Sequence, residues 1–247
     1  KSVLEKDPIL EIVENKSESL EEALLELDSL IGLNEVKAEI KSLVDFIKIQ
    51  KEREKIGLKI GNISTHCVFT GSPGTGKTTV ARIVAKIYHH LGVVSKGQLV
   101  ETDRAGLVAE YSGQTAPKVD KVMESALDGV LFIDEAYSLI GESKDDFGKE
   151  AVATLLKRME DNRDRTAVIV AGYNDEMKTF LEANTGLKSR FNRFIFFPDY
   201  KPESMLEIFN SMCKSAEYIV TSEASDKLVR MFERLYVSRT KDFGNAR

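Results

Sequence analysis

Short, wholly apolar runs alternate along this chain with longer stretches in which apolar residues recur every three or four positions. From Asn34, the residues Val36, Ile40, Leu43, Val44 and Ile47 share one helical face, and Gly57 closes that helix. His66 to Thr70 reads as a short buried strand, followed by a glycine-rich turn and a helix to about Leu91. Gly92 is its expected C-terminal cap. Gln98 to Glu101 and Val130 to Ile133 are the second and third strands. Val152, Leu155, Leu156 and Met159 mark another helix, and the strands Ala167 to Val170 and Phe194 to Phe197 follow. Apolar strands alternating with amphipathic helices predict an α/β fold, a five-stranded parallel sheet sandwiched by helices. After Pro198 the pattern changes, and residues 202–237 read as purely helical. Three regions result: an acidic, partly helical extension over 1–26, with Leu20, Leu24 and Leu27 at helical spacing; an α/β domain over 27–200; and a small helical domain over 201–247.

Charge sharpens this division. The net charge is −5, and residues 1–30 hold three Lys against nine Asp or Glu, so the remainder is close to neutral. No basic stripe marks a nucleic-acid binder, which argues against a motor acting on DNA or RNA. No apolar run approaches the roughly 18 residues of a membrane span. The opening KSVLEKDPIL lacks the apolar heart of a secretion signal. Cys67 and Cys213 fit neither a zinc spacing nor a disulfide framework. A cytoplasmic protein is expected.

The candidate chemistry begins at GSPGTGKT, Gly71 to Thr78, which fits G-x-x-x-x-G-K-[ST] between a strand and a helix. Gly71, Gly74 and Gly76 free the backbone to wrap its N–H groups round a phosphate without a Cβ in the way. Ser72, Pro73, Thr75 and Thr79 complete the predicted nucleotide contacts. Lys77 would bridge the β- and γ-phosphates, and the Thr78 hydroxyl would ligate Mg²⁺. The bound molecule implied is ATP with Mg²⁺. In VLFIDEA, Asp134 ends a strand where it can hold the Mg²⁺, and Glu135 can polarise a water for attack on the γ-phosphate. Taken alone, the two acids are also what a solvated strand end looks like.

A third stretch, TGLKSRFNRF, puts Arg190 and Arg193 on a connection that need not reach its own nucleotide. Arginine supplied by a neighbouring subunit accelerates phosphoryl transfer by roughly 10³–10⁵. Taken singly, either arginine is better explained by a surface ion pair; the pair gains weight only beside the glycine loop and the Asp134–Glu135 strand end. DFG occurs twice, at Asp146–Gly148 and Asp242–Gly244, but none of His66, His89 and His90 is followed by arginine, so the H-R-D loop of a kinase is absent.

With these residues in place the chain resembles the AAA+ ATPases, and within them the branch of red-type rubisco activase and stage V sporulation protein K, with the ATPase core of type VII secretion a further relative. The resemblance rests on LIGLNEVK (30–37), the glycine loop, LVAEYSGQTAPKV (107–119), GVLFIDEAYSL (129–139), DFGKEAVATL (146–155), VIVAGY (168–173), GLKSRFNRFIFFPDY (186–200) and FGNAR (243–247). It implies an AAA+ P-loop domain with a helical lid, ATP hydrolysis, a homo-hexameric ring and a protein substrate it does not name. By matching position, Ile31 and Gly32 would flank the adenine, Arg190 would be an arginine finger acting in trans, and Arg247 would sense the γ-phosphate from the lid. Tyr111 would be the pore-loop aromatic that grips a substrate chain; the plain alternative is a half-buried tyrosine on a helix. Three departures stand out. Ser112 replaces the usual apolar residue after the aromatic. The sensor at the end of the fourth strand falls on Tyr173 or Asn174, and spacing does not choose. The chain ends at Arg247, where such a lid continues for several turns, so an incomplete lid is expected. The reading is an ATP-driven remodelling motor, with a slow nucleotide-dependent scaffold or switch as its rival.

Overall fold

A computed structural model describes residues 11–13, 19–59, 65–140, 147–241 and 243–247. In chain order its elements are β1 (Glu11–Val13), α1 (Leu20–Ser29), α2 (Asn34–Lys55), β2 (Cys67–Gly71), α3 (Lys77–His90), β3 (Leu99–Thr102), α4 (Arg104–Leu107), α5 (Thr115–Ser125) and β4 (Val130–Ile133). A 3₁₀ turn (Ala136–Ile140) leads to α6 (Phe147–Asp161), β5 (Ala167–Gly172), α7 (Asn174–Glu182), α8 (Thr185–Arg190), β6 (Arg193–Phe197), α9 (Pro202–Ser215) and α10 (Ser222–Val237).

The five expected strands form a parallel sheet, with β2 between β5 and β6. A sixth strand was not foreseen: β1 lies antiparallel on β3 at the edge, with Ile12 opposite Val100. Three residues in an acidic stretch carry too little alternation to declare a strand; the open edge of β3 supplies the pairing. Residues 1–10 and 14–18 of the expected acidic extension lie outside the described residues. The helix read from Leu20, Leu24 and Leu27 is present as α1. It crosses residue 26, with Ala23 and Leu27 fully buried and Glu26 paired to Lys86 of α3 at 2.6 Å. The stretch 202–237 is two helices, interrupted near Glu217, whose φ is +60°.

Every residue of β2, β4 and β5 is buried, as a sheet covered on both faces requires. One core lies against α1, α2 and α3, built on residues such as Ile40, Ile47 and Tyr88; the other lies against α5, α6 and α7, built on residues such as Val122, Leu155 and Phe180. Gly71 closes β2 against β6. A Cβ there would stand 2.3 Å from the Phe197 carbonyl oxygen, so only glycine lets the strand end this close to its neighbour.

His66 sits just ahead of β2, buried, with Nδ1 accepting the Val168 N–H at 3.0 Å and its ring 5.9 Å from that of Phe191. Burial above all lowers its pKa from 6.5 to about 4; the Arg190 charge adds to this and Glu160 opposes it. The unfolded chain therefore takes up a proton near pH 6.5 that the folded chain refuses until about pH 4. Stability is lost as pH falls through that window, by up to about 1.4 kcal/mol per pH unit. His66→Asn keeps an acceptor for Val168 and does not titrate. In urea unfolding, its loss of stability between pH 7 and pH 5 should be smaller than that of the unaltered protein by about 2 kcal/mol. Equal losses would show that His66 does not carry the effect.

Candidate functional site

At the carboxyl ends of the parallel strands, where an open α/β sheet binds its ligand, lies a cleft of about 570 Å³. Gly71, Pro73, Gly74, Gly76, Lys77, Thr78 and Thr79 form one wall. Asp134 and Glu135 after β4, with Gly172 and Tyr173 at the end of β5, form the floor. Ile31 and its neighbours Ser29, Leu30 and Leu33 close one side, and Ile208, Ser211, Met212, Ala246 and Arg247 of the helical unit close the other.

The wall is shaped by glycine. Gly74 and Gly76 hold φ of +69° and +90°, which residues with a side chain rarely adopt, and Gly76 hands the chain to α3. The first turn of that helix thus opens on the cleft with its N–H groups and positive dipole end. Lys77 reaches back, its Nζ donating to the carbonyls of Gly71 at 2.9 Å and Ser72 at 2.8 Å. Burial pushes the Lys77 ammonium below its ordinary pKa; Asp134 and Glu135 counter that, and Arg247 reinforces it. Two cations and two carboxylates therefore meet in one cleft, an arrangement suited to a polyanion carrying a divalent cation.

Glu135 has φ of +46°, uncommon for a non-glycine residue, and its N–H donates to Asp134 Oδ1 at 3.0 Å. Backbone held this way off β4 is the kind of strain that accumulates at working sites. Tyr137, two residues on, has its ring 5.9 Å from that of Tyr173. Burial first, then the Glu135 charge, raises the Tyr137 hydroxyl to about 12. Gly172 makes room for this pair, since a Cβ there would meet Tyr137 at 2.7 Å. Among the described residues no cluster of three or more His, Cys, Asp or Glu could hold a metal ion. A magnesium ion would lean on Thr78 Oγ1, Asp134 and the phosphates it arrives with, which is how Mg²⁺ is usually held at such sites.

Of the residues singled out from sequence, Ile31, Pro73, Gly74, Gly76, Lys77, Thr78, Thr79, Asp134, Glu135, Tyr173 and Arg247 line the cleft. Five do not. Thr75 is buried within the loop and donates to the Ser72 carbonyl at 2.8 Å, so this pair braces the turn from inside. Gly32 packs against Tyr200 and Ser204. Asn174 begins α7 and lines a separate, apolar groove with Met177, Leu181, Phe194 and Phe196, so Tyr173 alone of the two sensor candidates reaches the cleft. Arg190 ends α8 and pairs with Glu160 at 3.0 Å, while Arg193 lies over the Phe46 ring at 5.7 Å.

Tyr111 is on an exposed turn between α4 and α5, at 68 % accessibility, not half-buried on a helix. The turn is fastened at its base: Ala109 N–H donates to Thr115 Oγ1 at 3.2 Å, and Lys118 Nζ donates to the carbonyls of Ala105 at 2.6 Å and Val108 at 3.2 Å. The cleft residues that sequence reasoning missed are chiefly Tyr200 and the lid residues Ile208, Ser211 and Met212. Ile208 and Met212, four apart on α9, had a signal in their helical spacing; which way that face turned did not show. No helix among the described residues is long and apolar enough to cross a membrane.

Comparison with known proteins agrees with the fold. The profile of the ATPase family associated with various cellular activities (AAA) matches residues 67–199, and an AAA lid domain profile matches residues 201–247. The chain is 46 % identical to stage V sporulation protein K of Bacillus subtilis (strain 168) over 215 residues, 87 % of this chain and 67 % of that protein. It is 44 % identical to the ESX-3 secretion system protein EccA3 of Mycobacterium leprae (strain TN) over 230 residues. That match takes in 93 % of this chain but 36 % of EccA3, so the chain spans little more than a third of that relative's length. Among solved structures, the FIGL-1 AAA domain in complex with ADP superposes with a TM-score of 0.61 at 18 % identity, over 95 % of this chain and 72 % of that one. A chain of the E. coli MS115-1 HORMA:CdnC:Trip13 complex superposes with a TM-score of 0.59 at 16 % identity, over 94 % and 87 %. At these identities the superpositions speak for the fold. Matched over more than half its length by the family's own profile, and over its helical remainder by that of the lid, the chain belongs to the AAA ATPase family.

Proposed function

We propose that the protein binds ATP with Mg²⁺, hydrolyses it, and uses the cycle in a homo-hexameric ring to remodel a protein substrate in the cytoplasm. The observation that carries this reading is the convergence of Lys77, Thr78, Asp134, Glu135 and Arg247 on one cleft. In it the loop amides and Lys77 would hold the phosphates, and Thr78 and Asp134 would hold a magnesium ion, which would supply charge neutralisation there. Glu135 accepts a hydrogen bond from the attacking water and makes its oxygen more nucleophilic. Tyr173 faces the γ-phosphate from the end of β5, and Arg247 reads it from the lid. The adenine lies between Ile31, beside Gly32, and the α9 face of Ile208 and Met212.

Arg190 completes the site from outside. It does not line its own cleft, and in a ring it serves the nucleotide of the next subunit. In the single chain its guanidinium is held between Glu160, at 3.0 Å, and the Gly186 carbonyl, at 3.3 Å, and would leave those partners to reach a neighbour's nucleotide. Tyr111, exposed on a fastened turn, is the residue for gripping a peptide by ring contact without reading sequence. The polar Ser112 beside it favours a weaker grip, and for that reason a nucleotide switch that does not thread is the second reading.

Two sets of variants test these roles. Lys77→Ala should bind nucleotide at least tenfold more weakly, since a charge-assisted contact contributes roughly 1.5–3 kcal/mol. Glu135→Gln keeps shape and hydrogen bonding but not charge, so it should bind ATP normally and retain it, with phosphate release slowed about a hundredfold or more. Normal turnover in Glu135→Gln would remove this residue from the mechanism. Tyr111→Ala should keep basal ATP hydrolysis while losing the stimulation given by a substrate found in a panel of candidate proteins, and losing its remodelling. Remodelling at the normal rate would leave the switch as the better reading.

A further inference from the structure

The phosphate-binding loop is held from behind by the lid. Because a peptide unit is planar and trans, the carbonyl of one residue and the N–H of the next point in opposite directions. A donor that fixes the carbonyl on one side of a loop therefore fixes where the following amide points. Three successive carbonyls at the tip of this loop each meet a donor from the hinge or the lid. Asn245 Nδ2 donates to the Pro73 carbonyl at 3.1 Å, the Ala246 N–H to that of Gly74 at 3.3 Å, and the Tyr200 hydroxyl to that of Thr75 at 3.3 Å. The amides that follow these carbonyls are those of Gly74, Thr75 and Gly76. A planar trans peptide turns these amides away from the donors that hold the carbonyls, and Gly74 and Gly76 line the cleft.

Asn245 is the centre of this contact. Its two Nδ2 hydrogens are shared among the Pro73 carbonyl, Asp199 Oδ1 at 3.0 Å and the Phe243 carbonyl at 3.0 Å, while its Oδ1 accepts the Tyr200 N–H at 2.8 Å. One side chain thus ties together the loop tip, the hinge at 199–200 and the end of the lid. The position asks for asparagine on two counts. Its φ is +50°, a conformation that asparagine tolerates better than most residues, and the contacts need a donor and an acceptor on one short arm. The approach is close: a Cβ on Gly74 would lie 2.1 Å from the Gly244 carbonyl oxygen.

We infer that Asn245 is a positioning residue for phosphate binding: through it the lid sets the peptide planes of Pro73 to Gly76, so that lid closure and phosphate binding favour each other. The inference rests on the nucleotide reading above. It differs from the part proposed for Arg247, that of reading the γ-phosphate, because aligned amides serve the α- and β-phosphates that ADP and ATP share. By reciprocity, whatever nucleotide affinity the lid adds, nucleotide adds to lid closure.

The experiment titrates Mg-ADP and Mg-ATP into the unaltered protein, Asn245→Gly, Asn245→Asp and Arg247→Ala. Asn245→Gly keeps the left-handed backbone and removes the side-chain bonds. Asn245→Asp keeps an acceptor for the Tyr200 N–H and sets an oxygen against the Pro73 carbonyl. Both should weaken ADP and ATP alike, by about tenfold, the size of one hydrogen bond. Their melting midpoints without nucleotide should fall by the few degrees that lost hydrogen bonds cost, and beyond that fall the rise produced by ADP should shrink. Arg247→Ala should weaken ATP more than ADP. The inference is overturned if the Asn245 variants bind ADP normally, if they lose ATP only, or if ADP raises their midpoints as much as it raises that of the unaltered protein. Absence of ADP binding by the unaltered protein would instead sink the nucleotide reading, and this inference with it.

Discussion

A loop that turns its amides toward an anion must turn its carbonyls elsewhere, and those carbonyls must find partners. That constraint organises the nucleotide cleft of this protein. Gly74 and Gly76 make the turn possible through backbone conformations closed to most residues. The outward carbonyls of Pro73, Gly74 and Thr75 are met by Asn245, Ala246 and Tyr200. Those of Gly71 and Ser72 are met by Lys77. The loop is therefore not a free flap on the sheet but a layer between sheet and lid.

The sheet makes this layer stiff enough to use. β2, which feeds the loop, lies between β5 and β6, with both faces covered by apolar packing. Gly71 lets its end close on Phe197. The same register brings the end of β4, with Asp134 and Glu135, and the end of β5, with Tyr173, to the edge where the loop begins. Tyr200, immediately before the lid, lies against Gly32 on one side and reaches Thr75 on the other, so the hinge packs against the site.

Much of this was legible in the sequence because its signals are local. The five parallel strands and the loop from Gly71 to Thr78 depend on hydrophobic runs and on glycine at fixed offsets, and these survive folding unchanged. What was not legible depends on distant partners. β1 exists because β3 has an open edge, and nothing in Glu11 to Val13 announces it. Spacing left Tyr173 and Asn174 equivalent; the turn from β5 into α7 sends the first into the cleft and the second to the opposite groove. Asn245 drew notice as part of a motif ending in Arg247, yet its bonds run to residues 46 and 172 positions away. The ion pair between Arg190 and Glu160 likewise spans α8 and α6, and no pattern along the chain could pair them.

The central claim is that hydrolysis takes place at a site assembled from two chains, with Glu135 from one and Arg190 from the next. Phosphate release from mixtures of Arg190→Ala and Glu135→Gln subunits tests it most directly. Each variant alone should bind ATP and turn over at least a hundredfold more slowly than the unaltered protein. Mixed rings should regain activity in proportion to the junctions where an intact Glu135 meets an intact Arg190. If co-assembled mixtures recover nothing at any ratio, or Arg190→Ala alone turns over normally, the shared site is contradicted.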